Sequence, residues 1–136
     1  MCANIDLFNR CTVAIFGVLY SAFPVPVTMK SEDVAKVIGL DSFDQSSMAI
    51  YAETVIFLRD EGYLTLTSEA GRGSQARIFT GVRLTSKGLA ALNRTPKELI
   101  DAPSIGERIA AWTSDLVKEV SSDALKGTIK SLLSPF

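Results

Sequence analysis

Four cations in one short stretch, Arg72, Arg77, Arg83 and Lys87, are the side chains of this 136-residue sequence with the clearest chemical task. Guanidinium and ammonium groups on a polar, Gly-interrupted segment suit hydrogen bonding to phosphate oxygens, the contacts that position a protein on a nucleic-acid backbone. Residues 62–97 hold six basic side chains against one acidic, whereas residues 1–61 hold four against eight and residues 98–136 four against six. The net charge of the whole chain is −1, so any attraction to phosphate is local. Arg72 stands between Gly71 and Gly73, where a finger entering a minor groove would be placed. The Gly pair itself joins two strand-like runs, which makes it a turn signal and not a strand-to-helix phosphate cradle. The competing account of these cations is a solvated hairpin whose charges pair with acidic helices or protect a strand edge.

Catalytic chemistry has little to work with. The sequence contains no His, no metal-ligand cluster, no Ser nucleophile elbow and no Gly-Lys phosphate motif, so the expectation is a non-enzymatic protein without a cofactor or metal. The carboxylate pairs Glu98 with Asp101 and Glu119 with Asp123 fall at solvated helical spacing. Cys2 and Cys11 form neither a disulfide framework nor a zinc site, which points to a reducing cytoplasm, and Cys11 on an apolar helix reads as an inert buried thiol.

The elements that must position the cations follow from periodicity. Residues 4–22 read as a helix that is apolar on nearly every face and is ended by Phe23-Pro24. The apolar run from Cys11 to Val27 is broken by Pro24 and Pro26 and is too short for a bilayer span, and no basic start or small-x-small site marks a signal peptide. Such a helix needs cover, either as a central core helix or from a second copy through Phe8, Ile15 and Leu19. Val25-Pro26-Val27 is an extended stretch. Ser31 is the expected cap of a helix with Glu32 and Asp33 in its first turn, stopped by Gly39.

A third helix spans about Gln45 to Asp60, with Asp41 or Asp44 as its cap. Met48, Tyr51, Ala52, Val55 and Leu58 form its inward stripe. Ser46, Ile50, Glu53, Phe57 and Asp60 are left on the other side. Base edges are read by Arg, Lys, Asn or Gln, and on this helix only Gln45 and Arg59 qualify. Ile50 and Phe57 rimmed by charge instead suit a protein contact, unless they pack beneath the first or last helix. Tyr63 to Thr67 and Ala76 to Leu84 then read as two strands. In the second, Ile78, Val82 and Leu84 face one way and Arg77, Phe79, Gly81 and Arg83 the other. Thr85 caps a helix through Leu92, stopped by Asn93.

The turn Phe57-Leu58-x-x-Glu61-Gly62-Tyr63-Leu64 and the exit Leu84-Thr85-x-x-Gly88-Leu89 carry a resemblance: residues 28–92 resemble a winged helix-turn-helix domain of the bacterial transcriptional-regulator type. The resemblance implies DNA contact by the third helix in the major groove and by the wing on the backbone or in the minor groove. The third helix departs from that pattern and the basic wing keeps it.

Beyond the wing, Thr95-Pro96-Lys97-Glu98 and Ser104-Ile105-Gly106-Glu107 mark two helix starts with capping boxes. Ile105, Ile109, Trp112, Leu116 and Val120 form one stripe, and a last helix from about Ser122 carries Leu125, Ile129 and Leu132 or Leu133. Phe8, Ile15, Leu19, Trp112, Leu116 and Ile129 are therefore the expected homodimer surface, with a tail folded back on its own domain as the alternative. With 47% hydrophobic residues the chain has material for one core, so the expected architecture is a single mainly α domain with a small β-hairpin (α+β). Its parts are an N-terminal helix and turn over 1–27, a winged core over 28–92 and a helical extension over 93–136. Two functions fit: a dimeric cytoplasmic DNA-binding regulator using Gln45, Arg72, Arg77, Arg83 and Lys87, or a non-catalytic dimeric adaptor using Ile50 and Phe57. Neither involves a membrane.

Overall fold

The computed structural model describes residues 3–40, 43–70 and 78–93, together with Ile109, Gly127, Ile129 and Lys130. The expectations for Arg72, Arg77, Trp112, Leu116 and the capping boxes at Thr95 and Ser104 lie outside these residues. The elements are α1 (Ala3–Ala22), β1 (Val27–Lys30), α2 (Ser31–Val37), α3 (Gln45–Asp60), β2 (Leu64–Thr65), β3 (Ser68–Ala70), β4 (Ile78–Leu84) and α4 (Ser86–Leu92). The architecture is mainly helical with a small antiparallel sheet.

Helix α1 changes character along its length. Its polar start is tied by Arg10 to Asp6 one turn back at 3.0 Å, a helical ion pair of the i,i+4 kind. From Cys11 to Phe16 every side chain is buried, and Thr12 is accommodated there because its hydroxyl donates to the Phe8 carbonyl at 2.8 Å. The segment Asn4–Ala22 is long and apolar enough, by length and composition, to cross a membrane, and half of it is buried inside the domain. It packs on α2, α3 and β4. Ile15 and Leu19 are buried within one copy of the chain, so the central-core account of α1 describes them, and neither is free to meet a second copy in this fold. Phe8 is half-buried, and Ile129 is buried too.

Two helix ends are closed by the same device. Gly39 (φ 88°) and Gly62 (φ 85°) take the left-handed conformation, and the residue after each donates to a carbonyl five positions back. These bonds are Leu40 to Ala35 at 2.8 Å and Tyr63 to Leu58 at 2.9 Å, the Schellman arrangement that satisfies orphan carbonyls. At the start of α2 the expected cap is corrected. Lys30 occupies the cap position with no side-chain bond, and Ser31 is buried inside the first turn. The reason is that β1 runs into α2 without a loop, so the last extended residue is Lys30. Helix α3 is capped by Asp44, whose Oδ1 accepts from the Ser47 backbone N–H at 2.8 Å.

Segments β2 and β3 share one register with β4, from Leu64 opposite Leu84 to Ala70 opposite Ile78, and so form one arm of a hairpin. Strand β1 pairs with the other edge of β4, with Val27 opposite Val82 and Lys30 opposite Ile78. Between Val27 and Met29 the register shifts, so that Thr80 and Gly81 together face Thr28. This is a β-bulge, and Gly81 (φ 69°) takes the left-handed conformation in it. The bulge overturns the strict alternation expected of this strand. Phe79 is buried along with Val82 and Leu84, because the extra residue at 80–81 restores the inward phase on both sides of it. Helix, strand, two helices and a hairpin whose return strand pairs with the first strand is an order compatible with a winged helix-turn-helix.

Candidate nucleic-acid interface

A phosphate-binding surface needs its cations on one face, so their positions along β4 and α3 decide what the site can be. Tyr51, in the amino half of α3, meets Phe79 near the start of β4 edge-on at 5.8 Å between ring centroids, and stacks on Phe43 at 5.4 Å. The carboxyl end of α3 meets the other end of the strand, where the Thr85 hydroxyl donates to the Gly62 carbonyl and the Thr85 backbone N–H donates to Tyr63 at 3.1 Å. The amino half of α3 thus touches the start of β4 through Tyr51, and the turn that closes α3 is bonded to Thr85 just beyond the strand's other end.

Arg83 and Lys87 sit toward that other end. Ile78 and Arg83 are separated by about 17 Å of strand at about 3.3 Å per residue, and α3 itself spans roughly 24 Å. Lys87 donates from Nζ to the Glu61 carbonyl at 2.7 Å and lies 4.5 Å from the centroid of the Tyr63 ring. A cation at the carboxyl end of α3 complements the helix dipole and gains a cation–π contact, so its position serves the α3–α4 junction. Arg83 is exposed, opposite Thr65. Of the four cations clustered in sequence, the described pair, Arg83 and Lys87, lies toward the carboxyl end of α3, whereas Gln45 and Ser46 are exposed at its amino end.

Two cations not singled out by sequence belong to the elements just before α3. Lys30 is exposed and pairs with Ile78, the residue that follows Arg77 in the chain, and Lys36 is exposed on α2. Their neighbours Glu32 and Asp33 cancel them in any count of charge, and only the β1–β4 register brings Lys30 to the hairpin. The Asp44 carboxyl is held below the usual carboxylate range, first by the Ser47 backbone N–H and then by the Ser47 and Ser46 side chains. Arg59 is spent on Asp60 at 3.2 Å.

The apolar alternative surface is partly formed. Phe57 is 42% exposed and meets Phe8 of α1 edge-on at 5.7 Å, while Ile50 is half-buried. Burial, with no hydrogen-bond partner for its hydroxyl, pushes the Tyr51 phenol up, and burial pushes the Cys11 thiol up to about 12. Both are groups held neutral in a core. Among the described residues no group of three or more His, Cys, Asp or Glu is placed to hold a metal. No family model, curated protein or solved structure matches the chain.

Proposed function

We propose that this protein binds double-stranded DNA as a winged-helix regulator, using Gln45 at the amino end of α3, Arg72 and Arg77 of the wing, and Lys30, which pairs with Ile78. The observation that supports this reading is the Tyr51–Phe79 contact, which aligns the amino half of α3 with the hairpin end of β4. A helix start to enter a groove and clustered arginines to meet the flanking phosphates are the two parts this reading requires. On this reading Arg83 and Lys87 are not required for the contact. The protein acts without catalysis, in the cytoplasm, and as a homodimer whose two copies meet half-sites one helical turn apart, with light scattering giving the oligomeric state.

The test is fluorescence anisotropy of a labelled generic duplex at low and physiological salt. Binding that weakens as salt rises, with a slope reduced by about two in Arg72→Ala with Arg77→Ala and unchanged in Arg83→Ala, is expected. No binding at low salt would sink the DNA reading. A second reading, a dimeric adaptor, draws on the exposed Phe57 ring against Phe8. That reading requires Phe57→Ser to abolish capture of a defined protein partner while leaving the fold intact.

A further inference from the structure

The turn after α1, the end of β4 and the start of α4 border a shallow, open cleft of about 330 Å³. Its apolar wall is Phe23, Pro24 and Leu84, and its polar side is Arg83, Thr65 and Ser86. We propose that this cleft binds a small aromatic monocarboxylate, with Arg83 holding the carboxylate and Phe23 and Pro24 covering the ring.

The volume lies at the low end of the roughly 300–1,000 Å³ typical of ligand sites and admits a benzoate-sized molecule. Arg83 is the cation that faces it, and among the described residues its side chain has no ion pair or hydrogen bond. A planar guanidinium matches a carboxylate through two parallel N–H···O bonds. One cation balances one negative charge, which favours a monoanion over phosphate. The Thr65 and Ser86 hydroxyls are exposed donors for the same oxygens, whereas the Thr85 hydroxyl is already committed to Gly62 and Gly88. Phe23 is 37% exposed beside Pro24, a rigid apolar surface for the ring. The cleft lies at the carboxyl end of α3, so its occupancy stands or falls separately from DNA binding.

The full-length chain is titrated with benzoate, benzyl alcohol and inorganic phosphate while amide signals are followed by two-dimensional NMR. Saturable shifts at Thr65 and Arg83 to Ser86 with benzoate are expected, with binding about tenfold weaker for benzyl alcohol, for phosphate and for benzoate with Arg83→Gln. Phe23→Ala weakens benzoate and leaves phosphate unchanged, which tests the ring contact even if the Arg83 variant fails to fold. Absence of saturable shifts, equal affinity for phosphate and benzoate, or unchanged benzoate binding in a folded Arg83→Gln protein would each overturn the proposal.

Discussion

Gly88 is where a single methyl group does most harm. It sits inside α4, where Ala is the better helix former by about 1 kcal/mol. A Cβ at this position overlaps the Tyr63 carbonyl oxygen and comes within 3.1 Å of Leu84 Cδ2. The carbonyl is backbone and cannot move aside, so the clash outweighs the propensity gain. Gly88→Ala is expected to lower unfolding stability by about 2–3 kcal/mol, read from the urea midpoint at constant slope. At Gly81 the left-handed φ and a Cβ overlap with the Thr67 hydroxyl act together, and Gly81→Ala is expected to be destabilising as well. Neither cost is legible in sequence: Leu84-Thr85-x-x-Gly88 marks the turn, but the close approach belongs to Tyr63, 25 positions earlier. Phe79 was misassigned for a related reason, since period-two reading contains no signal for a bulge beyond the glycine that permits it.

At the scale of elements, the start of α4 is built on the end of α3. The Thr85 hydroxyl accepts from the Gly88 N–H at 3.1 Å and donates to the Gly62 carbonyl, capping one helix and satisfying the closing turn of the other. Thr85→Val keeps the shape and removes both bonds, and is expected to cost about 2 kcal/mol in chemical denaturation, while Thr85→Ser costs less than about 1 kcal/mol. The bounds of α3 were legible because Asp44, the Met48-to-Leu58 stripe and Gly62 each speak independently for the same helix. The cap of α2 was not, because a strand that enters a helix directly removes the loop in which Ser31 would have served. The place of Arg83 and Lys87 toward the carboxyl end of α3 was equally invisible. Charge clustering along a chain says nothing about which end of a 20 Å strand each residue occupies.

For the whole molecule, the core holds Cys11 and Tyr51 in their neutral forms, and this contributes a pH response. Burial raises the Cys11 thiol from 9.0 to about 12, and burial likewise raises the Tyr51 phenol. In the unfolded chain each loses its proton at lower pH than in the folded one, so the unfolded state binds fewer protons there. Stability is fully present below pH 9 and falls as pH rises toward 12. Cys11→Val is expected to flatten the lower part of this loss in urea melts taken between pH 8 and 11. The same burial makes Cys11 a reporter. In a Cys2→Ala protein, reaction of the remaining thiol with a disulfide reagent at neutral pH is expected to proceed at the rate of global opening and to accelerate with denaturant. Rapid labelling of the native protein would show that α1 detaches from the core on its own.

The junction that ties Thr85, Lys87 and Gly88 to Glu61, Gly62 and Tyr63 has a mechanical meaning. Hydrogen bonds from a backbone N–H, a hydroxyl and an ammonium all cross it, and none depends on a long flexible loop. Helices α3 and α4, which the whole hairpin separates in sequence, are thus fastened to each other directly at the turn after α3. A load applied to α4 meets the end of α3 through these three bonds and not through the hairpin alone.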